Sequence, residues 1–197
     1  MASLSYLILA NIQSRSNHGS IIRTAAAMGV SEIAIVGAPK IMLKGDFGSS
    51  SHVRFSHFRK LADAVQFFRV QRGASICGIE IAPNAEPIQS HPFRGSTAFM
   101  IGNEGQGLLE AQLEACDQLV YVPQHSQATA SLNVNAATAI ALHHFATWAA
   151  YPEAPRSGAK YVLADSPQAV PLSGIGLRHM RKELDADGIS TRDRFNR

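Results

Sequence analysis

Three short segments of this 197-residue chain carry side chains able to hold or activate a ligand. The first is Asn17-His18-Gly19-Ser20-Ile21-Ile22-Arg23, which places an amide and a guanidinium nearly two turns apart on one helical unit. An arginine among apolar residues needs an anionic partner, either a bound phosphate or carboxylate or an internal acid such as Glu104. The second is Gly102-Asn103-Glu104-Gly105-Gln106-Gly107, a glycine turn that would let a ligand approach the backbone. It is not a dinucleotide fingerprint, which opens the first strand–helix turn and is followed by an acid about twenty positions on. The third runs from Tyr121 to Ser131-Leu132-Asn133, where a polar loop meets a long Ala-rich helix. Hydroxyl and amide groups there can satisfy the orphan donors of a helix N-terminus, so the segment reads as a helix cap or as part of a site.

Other chemistries fail to assemble. Ser131 lacks the G-x-S-x-G context of a hydrolase elbow. His143 and His144 are neighbours within a helix and cannot both face one metal, and no metal site is expected. Cys77 and Cys116 lie far apart and form no CxxC, which argues against a disulfide scaffold or a zinc site.

The elements that must position these segments are legible from apolar patterning. Strand-length apolar runs occur at 4–10, 32–37, 75–81 and 97–101, and a last one ends at Val122. Between the first two, Asn17 can cap a helix carrying Ile21, Ile22, Ala25, Ala26 and Met28, with Gly29 as its stop. Further helices are predicted at 61–70, from about 107 to 115, and from 134 to 149, where Pro152 bars continuation. Residues 38–59 and the PNAEP stretch at 83–87 read as loops. Five strands interleaved with helices predict an α/β fold with a mostly parallel sheet, whose ligands bind beyond the carboxyl ends of the strands. Residues 1–150 form that domain; 151–197, rich in proline and then in charge, form a C-terminal extension read as partly flexible.

Hydrophobic residues at 46% and charged ones at 17% describe a globular chain, and no apolar run is long enough to span a membrane. The N-terminus runs straight into a strand without a charged leader, so the expected location is the reducing cytoplasm. The net charge of +3 is unevenly placed. Lys40, Lys44, Arg54, Arg59, Lys60, Arg69 and Arg72 face only Asp46 and Asp63 over that interval, a pattern of a solvated surface or of phosphate contacts.

Taken together, the three segments resemble the motifs of the SpoU/TrmH branch of the SPOUT RNA methyltransferases. N-x-G-x-x-x-R-T-A is present as Asn17, Gly19, Arg23, Thr24 and Ala25, and G-x-E-x-x-G-L as Gly102, Glu104, Gly107 and Leu108. The I/V-P and S-L-N-V elements are present as Val122-Pro123 and Ser131-Leu132-Asn133-Val134. Two departures stand out: the segment Gln124 to Ala130 is one residue longer than usual and lacks glycine, and Ala130 replaces a position often charged in relatives.

The resemblance implies methyl transfer from S-adenosylmethionine to a ribose 2′-hydroxyl of RNA, tRNA first and rRNA next, by a homodimer with a C-terminal trefoil knot. Patterning alone would not propose a knot. It implies cofactor contacts at Gly102, Val122 and Leu132, with Ile101 and Ser131 close by and Glu80 as a further wall. It assigns Arg23 to the reacting hydroxyl and its phosphate, with Asn17, Glu104, Ser131 and Asn133 around it. With no separate N-terminal RNA-binding domain expected, the basic 40–72 region and the C-terminal tail are left to hold RNA. The alternatives are a knotted RNA-binding module or partner subunit with weak or no turnover, a base-methylating SPOUT relative and, more distantly, a nicotinamide dehydrogenase.

Overall fold

The computed structural model describes residues 2–10, 15–37, 48–103, 105–162 and 164, with side chains from Asn17 onward within the first helix. Glu104, Lys40, Lys44, Asp46 and almost all of the C-terminal extension lie outside the described residues.

Seven parallel strands form the central sheet. They are β1 (Ser5–Ala10), β2 (Glu32–Val36), β3 (Arg54–Phe58), β4 (Ser75–Ile79), β5 (Glu86–Pro87), β6 (Thr97–Ile101) and β7 (Gln118–Tyr121). Their order across the sheet is β3-β2-β1-β6-β4-β7-β5. Helix α1 (Arg15–Ala27) follows β1, α2 (Leu61–Gln71) follows β3, α3 (Glu110–Glu114) follows β6, and α4 (Val134–Trp148) follows β7. A two-stranded antiparallel hairpin, β8 (Arg156–Ser157) with β9 (Lys160–Tyr161), lies beyond the sheet.

The sheet is buried on both faces, which is why its strands are continuous apolar runs rather than alternating ones. Along β1, Leu7 and Leu9 face a core shared with Ile21 and Ile22 of α1 and with Leu142 and Phe145 of α4. Tyr6 and Ile8 face the opposite core with Val65 and Phe68 of α2 and Leu108. Glu32 is 3% exposed at the start of β2 and accepts a 2.9 Å hydrogen bond from Arg72 Nε, the partner that a buried carboxylate requires.

Two strands fall where loops are predicted. β3 carries Arg54 and His57 because it is an edge strand, which tolerates polar side chains. It still buries Phe55 and Phe58. β5 is only two residues long and pairs with β7 at the other edge. Helix α3 begins at Glu110, later than the pattern suggests, because Gly107 turns at φ +66° and the Leu108 N–H is held by Glu80. The Leu109 N–H is then taken by Gln112 Oε1 at 2.7 Å.

Candidate functional site

All seven strands run the same way, so the loops after β1, β4, β6 and β7 leave from one edge of the sheet. That edge collects the three segments singled out above.

The glycine turn after β6 is closed on itself. Asn103 and Gly107 exchange backbone hydrogen bonds of 2.9 Å each way, and Asn103 Oδ1 accepts from Gly105 N–H at 2.8 Å. A Cβ added to Gly102 would overlap the Gly107 carbonyl, so only glycine lets the two limbs touch. Gly102 and Ile101 are buried, Ile101 at 1% exposure, so they can offer backbone groups but Ile101 cannot offer its side chain. Glu80, in the loop after β4, turns its carboxylate to this turn. Oε2 accepts from the Leu108 N–H at 2.7 Å and Oε1 from the Ile81 N–H at 3.0 Å.

Beside it opens a cavity of about 520 Å³ lined by Ile81, Tyr121, Val122, Gln124, Ser126, Gln127, Thr129 and Ala130. Its lining combines apolar side chains with the amide and hydroxyl groups of Gln124, Ser126, Gln127 and Thr129, as small-molecule sites of roughly 300–1,000 Å³ do. Val122 lines the cavity, whereas Gly102, Ile101, Leu132, Ser131 and Glu80 are not among its lining residues. Of these, Leu132 is exposed at 37% and Ser131 is exposed as well. Tyr121 ends β7 and Thr129 lies in the third segment, while Ile81 is a lining residue that only its place in the loop after β4 points to.

Asn133, not Ser131, caps α4: its Oδ1 accepts from the Asn135 N–H at 2.9 Å. Its Nδ2 donates to Asn17 Oδ1 at 3.5 Å. Asn17 therefore does not cap α1, which starts two residues earlier at Arg15; its side chain reaches the cap of the other helix. About two turns on, Thr24 Oγ1 donates to Asn135 Oδ1 at 2.9 Å, a second tie between α1 and α4. Arg23 is exposed while Ile21, Ile22 and Ala25 beside it are fully buried, so it does not lie on the apolar face of its helix. Glu104 lies outside the described residues, and its pairing with Arg23 is not addressed by the structure.

Elsewhere the chemistry is muted. Burial pushes the thiols of Cys77 and Cys116 up to about 12, which keeps both protonated and unreactive. Among the described residues no group of three or more His, Cys, Asp or Glu stands ready to hold a metal, and no helix is long and apolar enough to cross a membrane.

An open parallel sheet with a glycine turn, an asparagine-capped helix and a cavity at its carboxyl edge is an α/β domain of the kind that places ligand sites beyond its strand ends. Its kin are specific. The profile of the SpoU rRNA Methylase family matches residues 5–143, and the chain belongs to that family. A 23S rRNA (guanosine-2′-O-)-methyltransferase, RlmB, of Acinetobacter baylyi is 32% identical over 142 residues, 70% of this chain and 57% of that protein. The tRNA (guanosine(18)-2′-O)-methyltransferase of Escherichia coli is 31% identical over 130 residues, 64% of this chain and 56% of that one. The AdoMet-bound rRNA methyltransferase of Sinorhizobium meliloti superposes with a TM-score of 0.65 at 25% identity, covering 75% of this chain and 57% of its own. The chain thus spans a little over half the length of the curated relatives it matches.

Proposed function

We propose that this chain transfers a methyl group from S-adenosylmethionine to a ribose 2′-hydroxyl of RNA, with tRNA the first candidate and rRNA the next. The observation that carries the reading is the meeting of Asn17 with Asn133 at the sheet edge from which the Gly102–Leu108 turn also leaves, in a chain that matches the family over 5–143.

The residues present suit the cofactor. The cavity lined by Ile81, Tyr121 and Val122 offers apolar surface and sufficient volume for an adenosyl group. The backbone of Gly102, Val122 and Leu132 would hold it, with Ile101 and Ser131 next in the chain. When bound, the cofactor supplies a sulfonium-activated methyl group. The remaining work is to align the ribose oxygen and raise its nucleophilicity. Arg23, exposed on α1 and permanently charged, suits the phosphate beside that ribose and the negative charge that develops on the 2′-oxygen. Its guanidinium is a very poor base, so its part is electrostatic and positional. Asn17 and Asn133 orient this arrangement, and Glu104 is assigned to pair with groups nearby.

The functional unit proposed is a homodimer located in the cytoplasm. The segment carrying Val122-Pro123 and Ser131-Leu132-Asn133 is proposed to thread through the preceding loop as a trefoil knot. This is supported by family membership and by the way α4, after β7, returns to pack on α1, β1, β4 and the 88–90 turn.

Calorimetric titration of S-adenosylmethionine and S-adenosylhomocysteine tests the reading. Saturable binding of both is expected. A folded chain that binds neither would instead be a knotted RNA-binding module.

A further inference from the structure

Glu80 follows β4 at the edge where the cofactor would bind, yet its carboxylate does not line the cavity. Both of its oxygens are committed to backbone N–H groups, one on a residue that lines the cavity and one on the glycine turn next along the sheet edge. Ile81, whose N–H is taken by Oε1 at 3.0 Å, is 58% exposed and lines the cavity. Leu108, whose N–H is taken by Oε2 at 2.7 Å, closes the glycine turn after β6. Bonds from neutral N–H donors to a carboxylate are among the stronger hydrogen bonds in proteins.

The surroundings are cut to fit this arrangement. A Cβ on Gly107 would overlap Glu80 Oε2, and Gly107 sits at φ +66°, where a side chain would be strained in any case. The Leu108 side chain is buried and reaches Gly78 of β4, where an added Cβ would stand 2.7 Å from Leu108 Cδ1. Glu80 itself is fixed from below by its own N–H donating to Val120 O at 2.9 Å. One residue therefore ties the end of β4 to β7 through its backbone and to the turn after β6 through its carboxylate.

We propose that Glu80 is a positioning residue that holds the glycine turn in place against the Ile81 side of the proposed cofactor site, acting through Ile81 and Leu108 rather than by touching the ligand. The inference rests on the methyl-transfer reading above for the identity of the ligand, but the clamp itself is a property of the free protein. Removing it leaves two N–H groups without their acceptor and lets the glycine turn drift from the cavity. Glutamine keeps one acceptor oxygen and replaces the other with a donor facing an N–H, so it restores half of the clamp.

Two readouts on the full chain test this. In amide NMR spectra without ligand, the Leu108 and Ile81 resonances should shift strongly in Glu80→Ala and partly in Glu80→Gln. In calorimetry well below the melting temperature, Glu80→Ala should bind S-adenosylmethionine at least tenfold more weakly, with Glu80→Gln intermediate. Methyl transfer should show a raised KM for the cofactor and a kcat within about threefold of wild type. A role in stability alone would lower the melting temperature without this split. Wild-type cofactor affinity in folded Glu80→Ala, or unmoved Leu108 and Ile81 amides, would overturn the proposal. Should Glu80→Ala fail to fold, the same comparisons in Glu80→Gln decide it. If the wild-type chain bound no S-adenosylmethionine, the functional reading would fail while the amide shifts still tested the clamp.

Discussion

Asn133 and Asn17 meet across the junction of the two helices that carry the site, Nδ2 of the first donating to Oδ1 of the second at 3.5 Å. Asn133 does two jobs, since its Oδ1 also caps α4 through the Asn135 N–H. The jobs are separable. Asn133→Asp keeps the capping acceptor and loses the donor, whereas Asn133→Ala loses both at a cost of about 1 kcal/mol for the cap. Thermal melts should rank the alanine variant below the aspartate variant. Methyl transfer should fall at least tenfold in both. An aspartate variant with full turnover would remove Asn133 from the orientation of the reacting groups.

The glycine turn makes a sharper steric prediction. Gly102→Ala must push its Cβ into the Gly107 backbone, so cofactor affinity should fall more than tenfold. Gly78→Ala is the control, because its Cβ would meet Leu119, Leu108 and Cys116 side-chain atoms at 2.6–2.9 Å inside the core. It should cost stability of about 1–3 kcal/mol, as overpacking does, and move affinity less. Denaturant titration and calorimetry on both variants check the contrast. The reverse ranking of affinities would mean that the turn does not shape the ligand site.

Much of this was legible in the sequence because parallel strands buried on both faces are plain apolar runs. β1, β2, β4, β6 and β7 all fall in predicted segments. β3 was not legible, since RFSHF at a sheet edge has the composition of a loop, and β5 is too short to leave a periodic signal. The three site segments announced themselves by residue type. Their contacts did not: nothing in the spacing shows that Asn17 would reach the cap of α4, or that Glu80 would turn from the cavity to the glycine turn. Such relationships depend on strand order, which sets β4 between β6 and β7 only in three dimensions.

A histidine pair gives a pH-dependent prediction. His91 Nε2 and His144 Nδ1 share a 2.8 Å hydrogen bond, and burial, then His91, then His143, lower the pKa of His144. A lowered folded pKa means that the unfolded chain takes up the proton first. Stability is then full above about 6.5, the ordinary histidine value, and is lost as pH falls below it. Melting temperatures should drop from pH 7.5 to 5.5, and His144→Gln should flatten the part of that drop due to this pair. An unchanged slope would show that the pair does not titrate on unfolding.

Two arginines of the basic region are held in ion pairs on the body of the domain. Arg69 pairs with Asp117 at 2.6 Å and Arg72 with Glu32 at 2.9 Å. Arg59 and Lys60 are exposed and directly follow β3, at the carboxyl edge shared with the site loops. Three strand spacings, about 14 Å, separate β3 from β6, a distance suited to a phosphate a few nucleotides from the reacting ribose. Reversing Arg59 and Lys60 to Glu should weaken RNA binding and reduce its salt slope by about 2. Reversing Arg69 and Arg72 should instead lower stability. An unchanged affinity and salt slope in the first pair would exclude that edge as the docking surface.

The central claim is methyl transfer to the ribose. Incubation of wild type and Arg23→Ala with methyl-labelled S-adenosylmethionine and total tRNA and rRNA, followed by alkaline hydrolysis, tests it most directly. The account predicts label in alkali-resistant dinucleotides with wild type and at least a hundredfold less with Arg23→Ala. Label on the base, or equal ribose labelling by both proteins, would contradict it.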